Sequence, residues 1–258
     1  MSGLLNGKRL VITGVLTDDS LAYAVADLAQ QQGAEIVLTN AGRALSLTRR
    51  VAKHLPTPPA VLELDVTEPD HLEAVAQELT GRWGAVDGIL HSIAFAPSSC
   101  LGEGFLDAPW EDVKVAMEIS AFSLKSLTVG LLPLLKAAGG ASVVGLDFDN
   151  RVAWPGYSWM GVSKAALEAT SRYLARDLGG DHIRVNLVAA GPVKTMAARS
   201  IPGFARFEDV WDERAPLGWS VDDPRPVAQA CVALLSDWFP MTTGELLHVD
   251  GGFHATGV

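Results

Sequence analysis

Residues 8–33, KRLVITGVLTDDSLAYAVADLAQQQG, decide the fold. KRLVIT is a short β-branched run that reads as a strand, with Gly14 just past its end. SLAYAVADLAQQQG then takes up helical periodicity, from Ser20 at the start of the helix to Gly33, where a helix usually stops. A strand, a glycine turn and a helix in that order begin a βαβ unit, and the question is whether the rest of the chain repeats it.

It does, from end to end. EIVLTN (35–40), VLELDV (61–66), GILHSI (88–93), ASVVGL (141–146), IRVNLV (183–188) and ELLHVDGG (245–252) read as further strands. Between them lie a capped helix starting at TEPDHLEAVAQEL, a long helix from about Pro109 to Gly139, a helix carrying Tyr157 and Lys164, and a helix from PVAQACVALLSD. Periodicity lapses between Thr195 and Trp219. Seven strands alternating with helices predict right-handed crossovers and a parallel sheet covered on both faces. The fold class is therefore α/β: a Rossmann-type doubly wound sheet in a single domain over residues 1–258, with no Pro- or Ser-rich linker to divide it.

Composition narrows the function. The chain has 258 residues, 48% of them hydrophobic, enough for one sizeable core. A net charge of −10 without basic runs argues against nucleic acid and against an anionic membrane surface. The two cysteines, Cys100 and Cys231, form neither a CxxC pair nor a metal-spaced cluster, so no metal site is expected. They read as free thiols of a cytoplasmic protein. The start shows no signal peptide, and no run reaches the length of a membrane span.

In a doubly wound sheet, ligands bind beyond the carboxyl ends of the strands. Thr13-Gly14, Asp65, Ser92, Asp147 and Ala190-Gly191 all follow apolar strand runs, so five turns converge on one edge. The first turn lacks GxGxxG. Gly14 permits the bend, and Ser20 opens a helix whose N–H groups can face a pyrophosphate. Taken alone, Gly-x5-Ser also fits an ordinary capped helix. Asp65 is placed near an adenine or, equally, is a helix-start carboxylate favoured by the dipole. NAGRALSL, after the second strand, has no acidic residue for a ribose; Arg43 there is available to stack on adenine or to meet a 2′-phosphate, or is simply solvated. His91 reads as a packed strand histidine rather than a catalyst.

The chemistry points to GYSWMGVSKAALEA. Tyr157 and Lys164 are seven residues apart, about 700° of helix rotation, which puts them on nearly one face roughly 10 Å apart along the axis. A phenol can donate to an oxygen gaining negative charge, and an ammonium nearby can hold a ribose and favour that donation. Phe148 and Met160, read from residue type alone, are core residues.

Together these residues resemble the short-chain dehydrogenase/reductase superfamily over nearly the whole chain. Within it the chain resembles the enoyl-[acyl-carrier-protein] reductases of bacterial type II fatty acid synthesis, closest to the mycobacterial and actinobacterial NADH-dependent form. The matching stretches are LLNGKRLVITG, Gly14-x5-Ser20, LELDV, HSIAFAP, VVGLDFD, Tyr157-x6-Lys164, NLVAAGPVKT, RAPLGW, LLSDW and TTGELLHVDGG, in the correct order. Most superfamily members carry Tyr-x3-Lys and a serine thirteen residues before the tyrosine; here those positions are Gly161 and Val144. The longer spacing moves the phenol about 4.5 Å further from the lysine, which suits the oxygen of an extended acyl thioester.

The resemblance implies hydride transfer from a reduced nicotinamide to C3 of a trans-2-enoyl thioester. Tyr157 would hydrogen-bond the enolate oxygen, Lys164 would hold the nicotinamide ribose, and C2 would take its proton ultimately from solvent. Phe148, Ala96 and Met160 would line the acyl site. Gly14, Ser20, Leu21, Asp65, Val66, Ser92, Ile93, Ala94, Lys164, Ala190, Gly191, Pro192, Val193 and Thr195 would contact the dinucleotide. NADH is the expected cofactor and NADPH the alternative, since Ala41 stands where the mycobacterial form has an aromatic beside the adenine. The segment of about 195–219 would cover the acyl site; its stretch from Thr195 to Pro216 is shorter than the mycobacterial counterpart, which implies acyl chains of ordinary length. Ala94 stands where the family often has glycine. The partner is an acyl-carrier-protein or CoA enoyl thioester, and the family's habit is a homotetramer. Two other readings stay open: a reductase of another activated enoyl or carbonyl substrate, and a non-catalytic dinucleotide-binding protein.

Overall fold

The structure, a computed structural model, describes residues 3–257. The chain runs β1 (Arg9–Thr13), α1 (Leu21–Gln31), β2 (Glu35–Asn40), α2 (Gly42–Val51), β3 (Ala60–Glu63), α3 (Pro69–Arg82) and β4 (Gly88–His91). It continues through α4 (Trp110–Met117), α5 (Ser123–Gly130), α6 (Leu132–Ala137), β5 (Ala141–Asp147), α7 (Ser158–Leu178) and β6 (Ile183–Ala190). It ends with α8 (Phe204–Arg214), α9 (Arg225–Leu235) and β7 (Leu246–Val249). All seven strands lie in one sheet in the order β3-β2-β1-β4-β5-β6-β7, and every pair is parallel. The order reverses between β1 and β4, which opens a crevice above their carboxyl ends.

Period-two alternation in β1 sorts its side chains between two cores. Leu10 and Ile12 pack with Ala22, Val25, Ala26 and Ala29 of α1 and with Val227, Val232 and Leu235 of α9. Val11 faces the other way, toward Val75 and Leu79 of α3, Leu124 and Leu127 of α5, and Leu167 and Leu174 of α7. Each fully buried Leu, Ile or Val contributes about 1.5–3 kcal/mol. The two layers together clamp the strands and so fix where their ends stop. That the strands and helices alternate as the sequence predicts is the direct result of this two-sided burial.

Three local expectations are corrected. The single helix from Pro109 to Gly139 is instead α4, a π-helical turn (Glu118–Phe122), α5 and α6, with Leu131 between the last two. Pro133 has no N–H to continue the ladder, so the helix breaks there. The π turn has a purpose in the fold: it places buried Ser120 so that its hydroxyl accepts from Phe95 N (2.9 Å) and donates to Phe95 O (2.8 Å). The aperiodic segment 195–219 contains α8, whose buried Phe207 and Trp211 give it one apolar face. Finally, α3 starts at Pro69 and not at Thr67, with no side-chain cap. Thr67 gives its hydroxyl and its N–H to Asp65 Oδ1, at 2.7 and 3.0 Å.

Among the described residues no helix is long and apolar enough to cross a membrane. Both cysteines are free and buried.

Candidate active site

A cavity of about 860 Å³ opens at the carboxyl edge of the sheet. That is the size of a small-molecule site. Its wall includes Gly14, Ser20, Leu21, Asp65, Val66, Ser92, Ile93, Ala94, Ala96, Phe148, Tyr157, Met160, Lys164, Ala190, Gly191, Pro192, Val193 and Thr195. These site residues named from the sequence thus lie on one surface. Arg43 does not: it is exposed on α2, while Ala41 and Ala44 take the wall there.

At the first turn Gly14 has φ +80°, and a Cβ on it would sit 1.8 Å from the Ser92 carbonyl oxygen. The turn after β1 and the chain after β4 therefore touch backbone to backbone, and Thr13 Oγ1 bridges them by accepting from Ser92 N (2.9 Å). Ser20 has the extended backbone of an N-cap, but its hydroxyl donates to Thr17 O (2.6 Å), so the expected side-chain cap is not made. Among the described residues the N–H groups of Leu21 and Ala22 consequently have no acceptor. They stand with the positive end of the α1 dipole at the cavity, and an anion fits there. Asp65 has Oδ1 committed to Thr67, and its N–H donates to His71 Nδ1 (3.1 Å), a partner the sequence reading missed.

Tyr157 precedes α7 rather than lying within it, so the expected one-face helical pairing with Lys164 is replaced by a turn. Ser158, the first residue of α7, has φ +48°, a strained value for serine of the kind that gathers at functional sites. The turn aims the phenol ring at Phe148, with centroids 5.2 Å apart and planes at 61°. Burial, helped by the charge of Asp147, pushes the Tyr157 phenol far above its ordinary range, so the hydroxyl stays protonated.

Lys164 rises from α7 beneath the end of β5. Its Nζ donates to Leu146 O (2.9 Å) and lies 3.7 Å from Asp147 Oδ1. The two side chains are 7% and 0% exposed. Burial lowers the lysine, and Asp147 opposes that. Burial raises Asp147 to about 6 in spite of Lys164. The sequence placed Asp147 at a strand end without giving it a role.

His91 is fully buried. Ser123 Oγ donates to Ile119 O (2.6 Å) and so accepts from His91 Nε2 (2.7 Å), which fixes the ring proton on Nε2. Burial, with Lys164 nearby, takes this imidazole down to about 3. It is a neutral strand histidine, as its setting in the sequence suggests.

Around the far wall, Phe204 and Phe207 of α8 join Phe148. Trp154, Trp211 and Phe253 back them, Trp211 and Phe253 being stacked at 3.8 Å. No group of three or more His, Cys, Asp or Glu suited to a metal occurs among the described residues.

A parallel sheet reversing between β1 and β4, with a cavity over that point and free helix N–H groups facing it, defines a Rossmann-type α/β protein. The particular family follows from comparison with known proteins. The model of the enoyl-(acyl carrier protein) reductase family matches residues 14–254, and the chain belongs to that family. The enoyl-[acyl-carrier-protein] reductase [NADH] of Mycolicibacterium smegmatis is 47% identical, covering 98% of each chain. That of Mycobacterium avium is 44% identical with the same coverage. The enoyl-[acyl-carrier-protein] reductase [NADH] FabI of Aquifex aeolicus is 40% identical, over 99% of this chain and 94% of its own.

Proposed function

We propose that this chain reduces trans-2-enoyl thioesters of acyl-carrier protein with NADH. One observation carries the assignment of the site: Tyr157, Phe148 and Lys164 meet on the wall that the glycine turn and the α1 N-terminus also form. When bound, NADH supplies the hydride that C3 of the enoyl group receives.

The residues around it do the rest. The unpaired N–H groups of Leu21 and Ala22 hold the pyrophosphate, and Gly14 lets the backbone come close. Lys164 donates to the nicotinamide ribose hydroxyls. Tyr157, kept protonated by burial, donates a hydrogen bond to the thioester oxygen as the enolate charge develops. Such a donor acts more strongly in a poorly solvated cavity than in water. C2 takes its proton ultimately from solvent. Phe148, Ala96 and Met160 hold the acyl chain, and residues 195–219 form its cover. NADH is the cofactor read for this site, with Arg43 exposed on α2 beside the wall residues Ala41 and Ala44.

We read the chain as one cytoplasmic domain that assembles as a homotetramer. Exposed Tyr173, Phe239, Met241 and Leu247 leave apolar surface that supports an interface between copies.

Steady-state oxidation of NADH and NADPH with crotonyl and longer trans-2-enoyl thioesters tests the function. Turnover that favours NADH is expected. Absence of turnover with every enoyl thioester, together with turnover of a ketone, overturns it.

A further inference from the structure

Asp147 is an unusual residue to bury. Its side chain has no exposure, and neither oxygen receives a hydrogen bond among the described residues. A carboxylate in that state is costly, and an amide of the same shape would be cheaper to hold. Its charge is offset chiefly by the Lys164 ammonium 3.7 Å away, and to a lesser degree by the nearby Phe148 N–H. The ammonium is in the converse position: it has one carbonyl acceptor, Leu146 O, and one counter-charge. The other titratable groups facing the pair do not replace that counter-charge. His91 on β4 is neutral, Tyr157 is protonated, and Glu168 on α7 acts on Asp147 by repulsion.

We propose that Asp147 is a positioning residue for Lys164, its carboxylate being the counter-charge that keeps the buried ammonium protonated and aimed along the cavity wall. The inference rests on Lys164 as the anchor of the cofactor ribose. The carbonyl of Leu146 and the carboxylate of Asp147 are adjacent on β5, so the strand end holds the ammonium at two points. The side chain then cannot swing toward solvent to recover its hydration. Without the carboxylate, the apolar surroundings favour the neutral amine, which presents one fewer N–H to a ribose.

The test is NADH binding, followed by fluorescence between about pH 6 and pH 10. Wild type and Asp147→Glu are expected to lose affinity together at the alkaline end. Asp147→Asn is expected to lose it about one unit lower. An alkaline limb that stays in place in a folded Asp147→Asn overturns the inference. Should that variant not fold, the ¹³Cε shift of Lys164 in the wild-type protein decides. A lysine still charged at about pH 8 supports the counter-charge, and one already neutral there overturns it. A wild type that binds NADH yet reduces no enoyl thioester would overturn the proposed function and leave this titration readable. Wild-type turnover with an unmoved limb would overturn this inference alone.

Discussion

Phe148 meets Tyr157 edge to face, and this contact fixes the phenol ring without using its hydroxyl. Among the described residues the hydroxyl has no hydrogen-bond partner, so it is held ready for a ligand. Replacing Tyr157 by Phe keeps the packing and removes only the donor. The turnover of a trans-2-enoyl thioester by Tyr157→Phe is expected to fall about 10²- to 10⁴-fold. Its NADH affinity and melting temperature are expected to match wild type. Steady-state kinetics alongside a thermal melt separates a lost donor from a damaged fold.

Gly14 carries a second constraint, one of space. A methyl there meets the Ser92 carbonyl oxygen, and the backbone is left-handed as well. Neither problem can be relieved by rotating a side chain, because the clash is with backbone. Gly14→Ala is expected to lose about 2–4 kcal/mol of stability and to weaken NADH binding markedly. Urea unfolding and fluorescence titration check the two effects separately.

The sheet and the cavity edge were legible because parallel strands buried on both faces read as unbroken apolar runs. Thr13, Asp65, Ser92, Asp147 and Ala190 could each be placed at a strand end for that reason. Other features depended on contacts the sequence does not display. Ser20 and Thr67 are both residues that cap helices, yet Ser20 bonds back to Thr17 and Thr67 to Asp65. Choosing between such partners is a matter of loop geometry. The helix α8 had a readable signal, Phe204, Phe207 and Trp211 at three- and four-residue steps, masked by Pro202-Gly203 and a dense run of charges. The pairing of Asp147 with Lys164 was out of reach: seventeen residues of separation carry no periodic sign that one side chain passes beneath the other.

His91 gives a pH prediction. Its folded value is near 3 against an ordinary 6.5, so the unfolded chain takes up a proton that the native protein refuses. Stability from this group is complete above pH 6.5 and falls as pH drops toward 3, by about 1.4 kcal/mol per unit. Asp147, raised to about 6, works in the opposite sense below that pH, but does so in any His91 variant as well. The comparison therefore isolates the histidine. His91→Gln keeps a donor for Ser123 and cannot titrate. Between neutrality and about pH 4.5 it is expected to gain about 2–3 kcal/mol relative to wild type in urea unfolding. A constant difference across that range would mean that His91 accepts a proton in the folded protein.

Phe207 sets the depth of the proposed acyl site. It lines the cavity, stands edge-on to Phe148 with centroids 5.9 Å apart, and is backed by Trp211. Trp211 is stacked on Phe253 and packed against Trp154, so it is held from behind and is poorly placed to collapse forward. Space opened by Phe207→Ala should therefore remain available to substrate. The variant is expected to lose about 3 kcal/mol of stability. It is also expected to raise kcat/KM for longer enoyl chains relative to crotonyl by about tenfold or more, the worth of one or two added methylenes in an apolar pocket. The ratio is the informative quantity. General damage to the cover would lower every chain length alike, whereas a deeper pocket changes their order, and kinetics across a series of enoyl thioesters distinguishes the two.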